Sequence, residues 1–330
     1  MSQGPQFVGL DVGGTTMKAA VVDDRGIPAI AVVMDTLPKR GQEAGLETMC
    51  ECIRRAVAAA NLSMGQIAAI GVVTPGPMDI PAGMILDPAN LKPWLNVPVR
   101  DHIHKTFGIL TAYQNDANAA AYGEYWVGAG RESKSMVMFT LGTGIGGGII
   151  IDDRILEGQH SHGGELGHTR IELRDGRACG CGRRGCLEAW GSATSVVKRT
   201  REALETAPDS SLLDERVKKG EELTARVVFG AADLGDPLAV RIVDETAYVL
   251  AVGATNMMHT IDPDMIVFGG GMTAAGDPFL EQIRHYVRQL ALPVPGAKTL
   301  VRFAALGSDA GFIGAAGCGR QLYRRHKGLV

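Results

Sequence analysis

The sequence has no excess of positive charge. Its 330 residues include 33 Lys and Arg against 36 Asp and Glu, which gives a net charge of -3. Proteins that bind a nucleic-acid backbone normally carry a clear excess of basic residues on one face, so the composition argues against nucleic acid as a partner. The chain also lacks an apolar run long enough to span a bilayer, and its first residues lack the basic and apolar regions of a secretion signal. We therefore expect a cytoplasmic protein without a membrane partner.

Cysteine is scarce, with six residues in the chain. Thiols stay reduced in the cytoplasm, so this number does not predict a framework of disulfides. Three of the six, Cys179, Cys181 and Cys186, fall within eight residues of one another. Such clustering predicts a metal site, with a redox pair or a short disulfide as the alternatives.

One imidazole added to the three thiolates would complete a tetrahedral zinc site. A Cys3His set leaves no open position for water, so we expect a structural rather than a catalytic metal. By spacing alone, the imidazole could come from any of three nearby histidines, His160, His162 and His168.

Glycine, by contrast, is abundant, with 44 residues, and two glycine turns belong to an internal repeat. Residues 8–25 align without a gap to residues 137–154, at an offset of 129. Both segments predict a strand, a glycine turn and a returning strand that ends in Asp-Asp-Arg. We interpret the match as a duplicated domain, with a chance similarity between two glycine turns as the alternative.

The second turn also contains the spacing GxGxxG, at Gly142, Gly144 and Gly147. A dinucleotide-binding unit requires a helix after these glycines, whereas GIIIDD predicts a strand. The first turn, in DVGGTTMK, lacks the spacing of a P-loop. Glycine turns between strands can still hold phosphates, because N–H groups without neighbouring Cβ atoms can crowd around an anion.

Two other segments of the sequence can each be interpreted in two ways. Asp116 precedes an alanine-rich helix, where an isolated aspartate is commonly an N-cap. The glycines at 269–271 follow the strand DMIVF, and they either let the backbone approach a flat ligand or form a loop that needs positive φ. An isolated aromatic, Trp94, is interpreted as a packing residue.

Seven elements follow one another along the chain: DVGGTTMK, TPGPMD with NLKPW, NDANAAAYGE, TLGTGIGGG, GGELGH, CGCGRRGCLE and PDMIVFGGG. In this order they resemble the sugar kinases of the ROK family, within the actin-like ATPase superfamily, and most of all the bacterial ATP-dependent glucokinases of that family. The resemblance runs from about Gly9 to Gly317. It implies an α/β fold of duplicated actin-like (ribonuclease H-like) domains with an interdomain cleft. We expect a small domain at 1–118 with a C-terminal helix at 306–330, and a large domain at 119–305 that carries the zinc site.

The resemblance also implies an activity, the ATP-dependent phosphorylation of glucose at its 6-hydroxyl with Mg²⁺ at the phosphates. Asp116 would be the catalytic base, and Asp11 would hold the hydration shell of Mg²⁺. The sugar-binding residues would be Gly76, Asn90, Asn115, Asp116, Glu165, His168 and Glu188. The ATP-binding residues would be Asp11, Gly13, Gly14, Thr15, Thr16, Lys18, Thr143, Gly144, Gly269, Gly270 and Gly271. The structural Zn²⁺ would be held by His168, Cys179, Cys181 and Cys186.

Members of the family act on several substrates, so alternatives remain. N-acetylmannosamine, N-acetylglucosamine, fructose or mannose could replace glucose, and polyphosphate could replace ATP. The family also contains sugar-responsive repressors with a helix-turn-helix ahead of the first phosphate loop. The ten residues before Asp11 are too few for that motif, so we expect an enzyme. Assembly as a homodimer or a dimer of dimers is common in the family and is expected here.

Overall fold

The structure is a computed structural model that describes residues 4–206 and 211–329. Its strands are β1 (Gln6–Val12), β2 (Thr16–Asp23), β3 (Val32–Asp35), β4 (Ile67–Thr74), β5 (Met78–Asp79), β6 (Met84–Ile85), β7 (Thr111–Asn115), β8 (Ser135–Leu141), β9 (Ile145–Ile151), β10 (Arg154–Ile155), β11 (Met265–Gly269) and β12 (Leu300–Phe303). Its α-helices are α1 (Gln42–Ala59), α2 (Val99–Phe107), α3 (Asp116–Val127), α4 (Glu188–Gly191), α5 (Ala193–Thr206), α6 (Leu212–Lys218), α7 (Ala225–Asp233), α8 (Pro237–Ile261), α9 (Asp277–Leu290), α10 (Pro293–Lys298) and α11 (Ala310–His326).

Two five-stranded sheets have the same strand order. The first runs β3-β2-β1-β4-β7 and the second β10-β9-β8-β11-β12. In the first sheet, β1 pairs antiparallel with β2 and parallel with β4. In the second, β8 occupies the place of β1 and pairs parallel with β11. The equal order is what a duplicated fold requires.

The internal repeat of the sequence coincides with these strands. Shifting the bounds of β1 by the offset of 129 gives the bounds of β8, and the same shift takes the start of β2 to the start of β9. A strand, not a helix, therefore follows the second glycine turn, so its GxGxxG spacing is not a dinucleotide-binding unit.

The chain divides into two compact units. The first comprises Met1–Glu132, Gly148–Gly164 and Ala305–Val330, and the second comprises Ser133–Gly147 and Glu165–Ala304. These bounds differ from the predicted domains at 1–118 with 306–330 and at 119–305. The difference arises in part because α3 packs closely against α11 and so stays with the first unit.

Glycines allow this close packing of α11 in the first unit. A Cβ atom on Gly314 of α11 would overlap the carbonyl oxygen of Ala119 in α3, and one on Gly71 of β4 would overlap the carbonyl oxygen of Ala315. The backbones of the helix and its neighbours are thus in direct contact, which side chains would prevent.

The first unit also encloses Trp94, which confirms that this residue packs. Its side chain is fully buried, and its Nε1–H donates to the carbonyl of Pro38 at 3.1 Å. Across the described residues, the helices are either too short or too polar to cross a membrane.

We expect Gly314→Ala to lower the free energy of unfolding by about 1–3 kcal/mol, because the added methyl group must push α3 away from α11. The matched control is Gly230→Ala in α7, another glycine inside a helix, where a Cβ atom meets no atom within 4 Å. That variant should gain up to about 1 kcal/mol from helix propensity. Urea unfolding of both variants measures the difference, and equal stability would contradict the close contact.

Candidate functional site

The first glycine turn, between β1 and β2, holds Asp11 opposite Lys18. The two are direct partners in the antiparallel register. The Gly13 N–H donates to the carbonyl of Thr16 at 2.9 Å and closes the turn, while the side chains of Thr15 and Thr16 are exposed. The turn therefore presents backbone N–H groups and hydroxyls beside a carboxylate and an ammonium group.

The turn is in contact with the NLKPW element. A Cβ atom on Gly14 would lie 2.7 Å from the carbonyl oxygen of Asn90. Residues predicted for two different ligands, ATP and sugar, thus meet within the first unit.

Lys18 is already paired in this structure. Its Nζ lies 2.5 Å from Oδ1 of Asp309, the residue that precedes α11, and the two side chains are 25% and 45% exposed. Asp309 was not among the predicted site residues. Its position just before a helix marks it only as a possible cap, and its side chain makes no cap hydrogen bond.

Asp11 is held in a setting that disfavours its ionised form. Burial raises the pKa of its carboxyl to about 7, and the negative charge of Asp116 acts in the same direction, whereas Lys18 opposes the shift. Its Oδ2 lies against Gly311 in the first turn of α11. A buried carboxyl group whose ionised form is disfavoured by a neighbouring negative charge fits a site for a cation, which would stabilise that charge.

The N-cap of α3 is Asn115, not Asp116. The Oδ1 of Asn115 accepts hydrogen bonds from the backbone N–H groups of Ala117 and Asn118, at 2.9 and 3.1 Å. Its Nδ2 faces Gly76, 3.9 Å from a Cβ atom built there. Asp116 is the first residue of the helix, and its Oδ1 also accepts from Ala117, at 2.8 Å.

The second glycine turn, between β8 and β9, lies in the second unit. The Gly142 N–H donates to the carbonyl of Gly144 at 3.0 Å, and Thr143 is exposed. The next residue, Ile145, donates its N–H to Oε2 of Glu188 at 2.9 Å. A predicted sugar-binding carboxylate thus contacts the backbone of a predicted phosphate turn.

Four side chains gather as the sequence predicted for a metal site. The ligand atoms of His168, Cys179, Cys181 and Cys186 all lie within 4.8 Å of one another. The Sγ atoms of Cys181 and Cys186 are 3.8 Å apart, and Cys179 Sγ is 3.8 Å from Nδ1 of His168. A tetrahedral zinc ion with Zn–S bonds of about 2.3 Å separates its sulfur ligands by about 3.8 Å, so the residues fit such an ion.

The predicted sugar carboxylates lie on both sides of this group. Burial raises the pKa of the Cys179 thiol to about 12, and its S–H donates to Oε1 of Glu188 at 3.3 Å. On the other side, Nε2 of His168 is 4.0 Å from Oε2 of Glu165. Because Nδ1 of His168 faces the thiols, its second ring nitrogen remains directed towards Glu165.

The three glycines at the end of β11, residues 269–271, differ from one another. Gly270 has φ of 91°, which suits glycine, and a Cβ atom there would lie 2.5 Å from the carbonyl oxygen of Leu141. Gly269 is buried, and a Cβ atom there would lie 2.4 Å from Cε of Met138. At Gly271 a Cβ atom would meet nothing within 4 Å. Gly270 thus has the positive φ of the one sequence interpretation, whereas the approach of a flat ligand stays a prediction.

Known proteins resemble the chain over nearly its full length. The model of the ROK family matches residues 7–321. A glucokinase of Halalkalibacterium halodurans is 36% identical over 313 residues, 93% of each chain. The crystal structure of a ROK hexokinase from Thermus thermophilus has a TM-score of 0.83 and 33% identity, covering 97% of this chain and 99% of that one. A ROK family glucokinase from Streptomyces griseus, in complex with glucose and AMPPNP, has a TM-score of 0.76 and 32% identity, covering 96% and 99%.

The two sheets have the same strand order, and in each sheet a glycine turn follows the middle strand, β1 or β8. This is a duplicated α/β fold of the actin-like ATPase class, as predicted from the sequence. Within that class, the chain belongs to the ROK family.

Proposed function

We propose that this protein is an ATP-dependent glucokinase that transfers the γ-phosphoryl group of ATP to the 6-hydroxyl of glucose. The observation that carries the proposal is the grouping of Asp116 and Asp11 beside the first glycine turn. Phosphoryl transfer needs this combination of a base, a cation site and phosphate-binding N–H groups. Full-length similarity to a glucokinase supports the choice of substrate.

Asp116 is proposed as the catalytic base. It would accept the proton of the 6-hydroxyl as that oxygen attacks the γ-phosphorus and the bond to ADP breaks. Asn115, whose oxygen caps α3, would offer its Nδ2 to a neighbouring hydroxyl. Gly76, Asn90, Glu165, His168 and Glu188 are proposed as the other sugar contacts.

Asp11 is proposed to hold the hydration shell of Mg²⁺. When bound, the ion neutralises charge on the phosphate oxygens. Lys18 would release Asp309 and pair with phosphate. The N–H groups and hydroxyls of the two turns would hold the phosphates, and the glycines at 269–271 would lie against adenosine. Residues proposed to bind ATP are thus Asp11, Gly13, Gly14, Thr15, Thr16, Lys18, Thr143, Gly144, Gly269, Gly270 and Gly271.

Zn²⁺ is proposed as a structural ion held by His168, Cys179, Cys181 and Cys186. It would fix the segments that carry Glu165 and Glu188 relative to each other. Location in the cytoplasm, assembly as a homodimer or dimer of dimers, and domains at 1–118 with 306–330 and at 119–305 remain predictions from the sequence.

Among common sugars, glucose should give the highest kcat/KM, with ATP as the better donor. Initial rates with glucose, mannose, fructose, N-acetylglucosamine and N-acetylmannosamine, each with ATP or polyphosphate, measure this preference. A higher value for an N-acetylated hexosamine would replace the substrate and keep the kinase, whereas no transfer to any sugar would refute the proposal.

Asp116→Asn should keep the fold and sugar binding and lower kcat by at least ~100-fold, as removal of a general base does. The amide oxygen can still accept from Ala117, so the start of α3 stays intact. Asp277→Asn is the matched control, because Asp277 is likewise the first residue of a helix, α9. Steady-state kinetics decide the role: if both variants keep kcat within a fewfold of wild type, Asp116 is only a helix-terminal residue.

The purified protein should contain about one zinc ion per chain, and Cys181→Ala should lose it. Glucose affinity should then fall by at least ~10 to 100-fold, with a much smaller change for ATP, since the ion holds the carboxylate segments. Cys318→Ala changes a thiol in α11 outside the group and should keep zinc and glucose affinity. Elemental analysis and calorimetric titrations test this. Unchanged glucose binding in zinc-free Cys181→Ala would show that the ion does not hold the glucose-binding carboxylates in place.

A further inference from the structure

Glu188 contacts both a predicted metal ligand, Cys179, and the end of the second glycine turn, at Ile145. One carboxylate oxygen, Oε2, accepts from the N–H of Ile145 at 2.9 Å, and the other, Oε1, lies 3.3 Å from Sγ of Cys179. We propose that Glu188 is a positioning residue for the second glycine turn, and thereby for the nucleotide, in addition to its proposed contact with sugar. The inference rests on the proposed function.

Ile145, at the end of the turn, is enclosed by the segments that carry the metal ligands. It is 4% exposed. A Cβ atom on Gly167 would overlap its carbonyl oxygen, and one on Gly191 would lie 3.2 Å from its Cδ1. Water therefore has little access to its N–H, so loss of the Glu188 oxygen leaves a shielded donor without its acceptor. Such a donor destabilises the local conformation.

The start of the turn is held by the same segment of chain. The N–H of Ala193, the first residue of α5, donates to the carbonyl of Gly142 at 2.9 Å. Residues 188–193 thus hold both ends of the turn, by the Glu188 carboxylate and by the backbone of Ala193. The carboxylate also fills the space beside the turn, since a Cβ atom on Gly144 would overlap Oε2.

A positioning role and a simple charge effect predict opposite results when the carboxylate is removed. A carboxylate near a polyphosphate repels it, so its removal alone would strengthen nucleotide binding. If Glu188 instead holds the turn in its binding conformation, removal weakens nucleotide binding. The sign of the change separates the two.

The test is calorimetric titration of the zinc-loaded protein with ADP and Mg²⁺, without sugar. Glu188→Ala and Glu188→Asp should each weaken ADP binding by at least ~5-fold, the effect of losing about one hydrogen bond. Aspartate keeps the charge but is too short by one methylene to reach Ile145. Glu188→Gln should bind ADP within about twofold of wild type, because its amide oxygen can still accept from Ile145.

Glu165→Ala is the matched control. Glu165 is the other proposed sugar carboxylate, and its oxygen faces His168 at 4.0 Å. This variant should lose glucose affinity and keep ADP affinity within about twofold. Circular dichroism and zinc content are measured for every variant.

Three results would overturn the inference. One is ADP binding by Glu188→Ala and Glu188→Asp equal to or tighter than that of Glu165→Ala. Another is failure of Glu188→Gln to restore binding. The third is loss of zinc from Glu188→Ala together with an equal loss of ADP affinity in Cys181→Ala, which would assign the effect to the ion. If wild-type protein itself binds no ADP, the proposed function fails instead, so the two failures are distinct.

Discussion

Direct backbone contact between α11 and its neighbours holds the carboxylates of Asp116 and Asp309 in place relative to Asp11. Gly314 and Gly71 bring the helix against the carbonyl oxygen of Ala119 and against β4. Asp116 begins α3, and Asp309 precedes α11, so the spacing of these helices fixes both carboxylates relative to Asp11 on β1. A side chain at either glycine would widen the spacing and so change the burial and the repulsion from Asp116 that raise the pKa of Asp11. The abundance of glycine is therefore in part a requirement of packing.

Much of this fold could be predicted because the sequence repeats itself. The offset between residues 8–25 and 137–154 located two equivalent hairpins, and the structure places β1 and β8 at equivalent places in two sheets of one strand order. The cysteine spacing likewise located three of the four grouped ligand residues, and the family resemblance selected His168 from three histidines. For the hairpins and the thiols, the information lay in a repeated pattern and in residues close together in the chain.

The missed features depend on contacts that spacing does not show. Lys18 pairs with Asp309, 291 residues away, and no local pattern marks such a partner. The acceptor role of Glu188 depends on the N–H of Ile145, and every residue except proline carries that group. Of the two interpretations of Asp116, the N-cap does not apply, because Asn115 caps α3; both residues are good N-caps, and only the backbone conformation separates them.

Under the proposed function, Asn115 would serve two purposes with the two ends of one amide. Its oxygen is committed to the first N–H groups of α3, while its nitrogen stays directed towards Gly76. At an ordinary N-cap, evolution can exchange Asn for Asp, Ser or Thr with little loss of helix stability. None of these three combines a short capping oxygen with an NH2 group. Fewer residues could therefore replace Asn115 than helix stability alone permits. A substitution that leaves the melting temperature unchanged would still remove a donor from the proposed site.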